Sequence, residues 1–231
     1  MPISEAYCID CMEYMKSFPD KYFDLAVVDP PYGIGQNWRK DTGSKFYRHE
    51  SSYKNESIPG AEYFTELFRV SKNQIIWGGN YYTEFLPARN SWIVWDKHID
   101  YPTQHLSEAE LAWTSFNVPV RVVSLIWNGC CRCDKRSGIH PHEKPKLLYK
   151  WIFDNYFNAG GGRILDTHLG SGSSRIVAYQ MGYDFYGCEI DPGYFKDSQL
   201  RFERECNGSI ALKSGEIIKQ VSLFDRLDDY Q

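Results

Sequence analysis

Residues Asp29-Pro30-Pro31-Tyr32-Gly33 place a carboxylate, two rigid rings and an aromatic face in consecutive positions. Each proline fixes φ and removes a backbone donor, so the Asp29 and Pro30 carbonyls are aimed and little in the turn competes for them. The array suits a planar group carrying an exocyclic NH2. Its amine hydrogens go to the Asp29 carboxylate and the Pro30 carbonyl, and its ring stacks on Tyr32. Surface turns also use proline and glycine, so the reading needs a preceding strand and a partner elsewhere. The apolar run Phe23-Asp24-Leu25-Ala26-Val27-Val28 supplies the strand. The turn then lies just past its carboxyl end, where open α/β sheets bind ligands.

The partner comes late in the chain. Arg163-Ile164-Leu165-Asp166 reads as a strand, and Thr167-His168-Leu169-Gly170-Ser171-Gly172-Ser173-Ser174 as a glycine-rich turn. A helix over Arg175 to Met181 and a strand from Asp184 to Glu189 follow. Glycines let backbone approach a ligand, and the helix start offers free N–H groups. An acid about 20 residues on, Glu189, is placed for ribose hydroxyls. Where a dinucleotide motif has its third glycine this chain has Arg175, and no Gly-Lys-Ser/Thr phosphate loop is present. A typical NAD site and a Walker site are therefore disfavoured, and a nucleoside-bearing cofactor of another kind is expected. Near the start, Glu5 to Ile9 reads as a strand followed by a helix over Cys11 to Phe18. That opening predicts a βαβ unit with Asp10 beside Asp29, where Asp10 either accepts from a ligand amine or caps the helix.

The rest of the chain must position these groups. Its 231 residues suffice for one α/β domain with a sizeable core. Strands are expected at Gln74 to Trp77, Ser91 to Trp95, Ala109 to Trp113 and Val120 to Trp127, and helices at Ala61 to Val70 and Leu147 to Phe157. Strands alternate with helices early and stand alone later, which predicts a mostly parallel sheet with an antiparallel edge strand. The formal charge is −4, so contact with nucleic acid needs local basic patches. One lies at Gly33 to Ser57, where Arg39, Lys40, Lys45, Arg48 and Lys54 are interleaved with Trp38, Phe46, Tyr47 and Tyr53. Another runs from Arg121 to Lys150. Cys130-Cys131-Arg132-Cys133 with His140 and His142 fits structural zinc spacing poorly, and no metal site is expected. Seven cysteines, an odd number, and an opening without a signal peptide favour a reducing cytoplasm. No apolar run is long enough to span a membrane.

Together the Asp29-Pro30-Pro31-Tyr32 tetrapeptide and the Asp166 to Gly172 turn resemble those of DNA amino-methyltransferases that use S-adenosylmethionine. The acceptor motif comes first, and His140-Pro141-His142-Glu143-Lys144-Pro145 precedes the cofactor turn. That order is similar to the β group of adenine-N6/cytosine-N4 enzymes, and the segments Ile76 to Asn80 and Trp92 to Lys97 resemble its phage-type members. The resemblance covers roughly residues 5 to 200. It implies a circularly permuted Rossmann-like methyltransferase fold with a mostly parallel, doubly wound sheet. Asp29, Pro30, Pro31 and Tyr32 would be catalytic. Asp10 would hold the cofactor adenine, Glu189 the ribose, and Asp166, His168, Gly170, Ser171 and Gly172 the methionine part. His142, Lys144 and Pro145 would form the pocket wall, with His142 standing where relatives often have threonine.

The same resemblance divides the chain into a catalytic half (1–115), a short target-recognition region (116–139), a cofactor half (140–200) and a tail (201–231). It implies adenine-N6 methylation of double-stranded DNA on a flipped base, as in restriction-modification systems, in a cytoplasm that is bacterial or phage-infected. The adenine preference follows the family habit of pairing Asp-Pro-Pro-Tyr with adenine and Ser-Pro-Pro-Tyr with cytosine, so cytosine-N4 stays open. A non-catalytic cofactor-binding, DNA-associated module is the other alternative. Relatives are often homodimers. In the tail, Gln220, Leu223 and Phe224 resemble peptides that dock on the bacterial sliding clamp.

Overall fold

Period-two alternation in the strands decides the architecture. In β2 (Phe23–Val28), Leu25 and Val27 pack into one core while Ala26 and Val28 pack into another. β3 (Ser71–Trp77) repeats this with Ile75 and Trp77 on one face and Ile76 on the other. β9 (Arg163–Asp166) does so with Ile164 and Leu165. Strands apolar on both faces must be covered on both, which requires helices on each side. The computed structural model describes residues 1–33, 58–98, 107–128, 131–132, 143–157, 161–211 and 217–219.

The remaining elements supply that cover. Helices α1 (Cys11–Lys16) and α2 (Ala61–Val70) contribute Tyr14, Met15, Tyr63, Phe64 and Leu67 to one core. Helices α3 (Lys146–Tyr156) and α4 (Ser173–Gln180) contribute Leu148, Ile152, Phe153, Val177 and Ala178 to the other. Further strands are β1 (Ser4–Cys8), β4 (Trp92–Asp96), β5 (Ala109–Thr114), β6 (Arg121–Ser124) and β10 (Asp184–Glu189), followed by α5 (Pro192–Cys206). They build an eight-stranded sheet in the order β1-β10-β9-β2-β3-β5-β4-β6. Two small pairs, β7 (Trp127–Asn128) with β8 (Cys131–Arg132) and β11 (Ser209–Ala211) with β12 (Ile217–Lys219), stand apart.

Two expectations change. β1 does not pair with β2; it pairs in parallel with β10, so β10 and β9 separate Asp10 from Asp29. The reason is burial. β2 is apolar throughout and takes a central place, whereas Glu5 and Tyr7 leave β1 fit for an edge. The antiparallel strand is β5, which lies between β3 and β4 rather than at the edge. The outermost strand, β6, runs parallel to β4. It brings part of the 116–139 segment into the main sheet.

The order is that of a permuted chain, with late strands β9 and β10 between early strands β1 and β2. From β2 the chain crosses through α2 to β3 on one side, and from β9 through α4 to β10 on the other. The crevice between the carboxyl ends of β2 and β9 is thus the topological switch point, where such sheets bind ligands. Asp29 follows β2 and Asp166 ends β9.

Arg175 of α4 ties the early edge strand to the late half. Its guanidinium donates to the Ser4 carbonyl at 2.9 Å, Ser4 Oγ at 3.0 Å and Gln199 Oε1 at 2.8 Å, and lies over the Phe202 ring at 4.0 Å. Arg175→Met keeps the aliphatic stem and loses these bonds. It should cost about 2 kcal/mol in denaturant unfolding, because bonds from charged donors are the stronger kind.

Candidate active site

One half of the site is built around the turn after β2. After β2, the Asp29 carboxylate takes the Tyr32 hydroxyl on Oδ1 at 2.5 Å and the Lys144 ammonium on Oδ2. Lys144 Nζ also reaches the Tyr32 hydroxyl at 3.3 Å and Glu110 Oε2 at 3.3 Å. Glu110, in β5, binds Lys97 at 2.5 Å. The Pro30 carbonyl, expected to be open for an amine, accepts from the Tyr82 hydroxyl at 2.7 Å, and Pro31 accepts from it at 3.0 Å. A buried carbonyl rarely stays unpartnered, and Tyr82 is fully buried. A carbonyl oxygen has two lone pairs, so Pro30 keeps one acceptor position.

The Tyr32 ring is fixed from two sides. Tyr81 stacks on it with centroids 5.0 Å apart at 15°. Gly78, in the left-handed region at φ 71°, lies so close that a Cβ there would sit 2.3 Å from Tyr32 Cε1. The Gly78-Gly79 pair that ends β3 therefore makes room for the aromatic ring.

The second half of the site is the β9–α4 turn. Asp166 Oδ1 accepts from the His168 N–H at 3.0 Å and Oδ2 from Ser174 Oγ at 2.6 Å. Gly170 and Gly172 are left-handed, at φ 50° and 72°. Glu189, at the end of β10, receives the Gly170 N–H at 2.8 Å and the Asp191 N–H at 3.0 Å. Arg201 of α5 lies beneath the turn, donating to the Ser171 carbonyl at 3.0 Å and Ser173 Oγ at 2.9 Å. Tyr63 and Thr167 share a buried hydrogen bond of 2.7 Å, and Thr167 Oγ1 lies 2.9 Å from His168 Nδ1.

The two turns differ in their electrostatics. Burial pushes Asp166 up to about 7, against the Ser174 and His168 bonds, and the Asp29 and Glu189 charges add to the rise. Burial also raises Glu189. Burial holds His168 down at about 4, so its ring is neutral at pH 7. On the acceptor side, burial opposes the Lys144 charge, but the Asp29 and Glu110 carboxylates outweigh it and raise the amine above the ordinary lysine range. Burial and the Asp29 charge push the Tyr32 hydroxyl well up, so it remains a donor.

The structure brings Asp29, Pro30, Pro31, Tyr32 and Lys144 together at the end of β2, and Asp166, His168, Gly170, Ser171, Gly172 and Glu189 together at the ends of β9 and β10. Lys144, expected on the cofactor wall, turns its ammonium to Asp29. Pro145 opens α3 as its N-cap. Asp10 caps α1, accepting from Met12 and Glu13 N–H at 2.9 and 3.2 Å. One Asp10 oxygen remains outside those bonds. His142, the basic loop after Gly33, most of the cysteine cluster and the tail residues Gln220, Leu223 and Phe224 lie outside the described residues. Sequence reasoning missed Tyr82, Lys97 and Glu110. Glu110 left one trace, a lone acid in the strand Ala109-Glu110-Leu111-Ala112-Trp113.

Fold and site define a class: a doubly wound sheet carrying an Asp-Pro-Pro-Tyr turn beside a glycine turn at its switch point. The profile of the N6/N4 DNA methylases matches residues 68–200, and the chain belongs to that family. The Type II methyltransferase M2.DpnII of Streptococcus pneumoniae is 33% identical over 82 residues, covering 35% of this chain and 30% of that protein. The Type II methyltransferase M.HpaI of Haemophilus parainfluenzae is 20% identical, covering 87% of this chain and 74% of its own. Among solved structures, the DNA modification methylase TTHA0409 of Thermus thermophilus, complexed with S-adenosyl-L-methionine, superposes with a TM-score of 0.59, 18% identity, and coverage of 89% and 96%. The cytosine-N4-specific PvuII DNA methyltransferase gives 0.57, 14% identity, and 87% of each chain. These two likenesses are likenesses of fold.

The family's cofactor is S-adenosylmethionine. The donor set fits it: a sulfonium and an ammonium are cations, and Asp166 and Glu189 are acids raised by burial and by neighbouring negative charge. Among the described residues no cluster could hold a metal ion, and no helix is long and apolar enough to cross a membrane.

Two outcomes follow from this geometry. Gly78→Ala meets both the left-handed penalty of about 1–2 kcal/mol and the Tyr32 ring. It should leave cofactor affinity in place and slow methyl transfer roughly 100-fold in single-turnover assays, because it displaces the acceptor turn. Asp166 titrates higher folded than unfolded, so between about pH 4 and 7 the folded chain binds more protons and loses stability as pH rises. Asp166→Asn removes that loss. Its melting temperature relative to the parent should climb by a few °C from about pH 5 to about pH 8.

Proposed function

We propose that this chain methylates the exocyclic N6 amine of adenine in double-stranded DNA, taking the base out of the helix to do so. The observation that carries the reading is the Asp29 carboxylate. It is oriented by Tyr32 and Lys144 at the carboxyl end of β2, across the switch point from the Asp166 turn. An amine inside a duplex is out of reach, so the target must be flipped, and the exposed Tyr81 ring, stacked on Tyr32, offers aromatic surface to receive it.

S-adenosylmethionine supplies an electrophilic methyl group whose bonding pair leaves with sulfur. Asp29 and the remaining lone pair of the Pro30 carbonyl accept the two amine hydrogens. That draws the nitrogen lone pair out of conjugation with the ring and frees it to attack. As the new N–C bond forms, positive charge grows on nitrogen, and Asp29 stabilises it. The surplus amine proton leaves by way of Asp29 to solvent, giving a neutral methylamino base. The Asp166–Glu189 turn supports the cofactor, and its acids complement the cofactor's positive charges.

Asp29 rather than serine at the head of the turn favours adenine, in line with the family resemblance. Cytosine-N4 methylation is the second reading, favoured by the fold likeness to the cytosine-N4-specific enzyme. The test is to incubate the protein with labelled S-adenosylmethionine and unmethylated DNA and to analyse the nucleosides. N6-methyladenine supports the first reading, N4-methylcytosine the second, and unlabelled DNA ends both. Asp29→Asn should lower transfer by roughly 1,000-fold with cofactor affinity nearly unchanged. Tyr32→Phe keeps the stacking face but loses the bond to Asp29, and should fall between wild type and Tyr32→Ala, at about a tenfold loss.

A further inference from the structure

Asp29, Lys144, Glu110 and Lys97 form a row of groups of alternating sign leading from the acceptor turn into β5 and the end of β4. The Lys144 side chain is only 4% exposed. Its ammonium lies over Trp77 at 5.2 Å and Tyr32 at 5.8 Å, so faces of two rings and two carboxylates make up its surroundings. Burial would raise Glu110, yet the Lys144 and Lys97 ammonium groups pull it down to about 2.

An ammonium bound to Asp29 opposes the reaction proposed above, on which this inference rests. A neutral Asp29–Lys144 pair gives little stabilisation to positive charge growing on an amine. Glu110 changes this. It shares Lys144, so Asp29 keeps negative character toward the amine. It also gives the ammonium a partner when the amine takes its place at Asp29 Oδ2. A buried ammonium left alone would be strongly unfavourable. We propose that Glu110 is a positioning residue for methyl transfer, holding Lys144 so that Lys144 can orient Asp29 and then yield it to the target amine. Lys144 accordingly acts on the acceptor side of the site rather than on the cofactor.

Glu110→Gln keeps the shape and removes the charge, and is tested in the full chain beside Lys144→Met and the double variant. Glu110→Gln should slow single-turnover transfer to unmethylated DNA by about 10- to 100-fold. Its S-adenosylmethionine Kd by calorimetry should stay within about twofold, and the double variant should be no more than about twofold slower than Lys144→Met, as for residues acting as a unit. A wild-type rate in Glu110→Gln, losses that multiply in the double variant, or cofactor affinity falling in step with rate would each overturn the proposal. A wild-type protein that methylates no DNA base overturns the functional reading instead. The hold of Glu110 on Lys144 is then judged by acetic anhydride labelling of Lys144, read by mass spectrometry. About tenfold faster labelling in Glu110→Gln supports it, since losing the carboxylate frees the amine of its proton; an unchanged rate ends it.

Discussion

Two adjacent residues, Glu143 and Lys144, carry the contact on which the site depends. Lys144 reaches the Asp29 carboxylate, which is 115 positions earlier in the chain. Glu143, fully buried, faces Arg201 at 3.4 Å, and Arg201 holds the Ser171 carbonyl and Ser173 hydroxyl of the glycine turn. One dipeptide thus joins the Asp29 turn to the glycine turn through buried charge. Removing one partner of such a pair leaves a charge with no water to solvate it, typically at a cost of about 3–5 kcal/mol. The two turns are therefore fixed relative to each other by the same charges that set the site's electrostatics.

Around that contact the site keeps opposite characters on its two sides. The side of the Asp29 turn pairs its acids with lysines and a hydroxyl donor, so the carboxylates there are oriented. The side of the glycine turn buries Asp166 and Glu189 among backbone N–H groups and a serine hydroxyl, with no cation bonded to either carboxylate among the described residues. A cationic ligand is the natural complement of such acids. The same residue type does different work on the two sides because its neighbours differ.

Backbone conformation supplies the remaining precision. Left-handed glycines stand at Gly78, Gly170 and Gly172, each at a carboxyl end of a strand or at the helix start that follows. At Gly78 the lack of a side chain is what admits the Tyr32 ring, and Tyr81, three residues on, then stacks upon it. Tyr82, the next residue, donates to the Pro30 and Pro31 carbonyls. The short turn after β3 thus shapes the acceptor turn after β2 from its parallel neighbour.

The sequence by itself determined the strands, their two-faced burial and the two turns, because these are local. Alternating apolar residues, glycine and proline chemistry and the spacing from Asp166 to Glu189 are all read within tens of residues. Partnership across the sheet is not local. The chain's opening looks like a simple βαβ unit, yet β1 lies beside β10 because the polar edge strand cannot occupy the centre. Asp10 and Asp29 are consequently separated by two strands. Glu110 lies in β5 and Lys97 just past the end of β4, and nothing in the order of residues says that the two meet. Their role appears only when β5, running antiparallel between β3 and β4, brings Glu110 to Lys144 and so to Asp29. The tertiary structure alone decided which charges meet, because ion pairs depend on distance in space and leave no period in the chain.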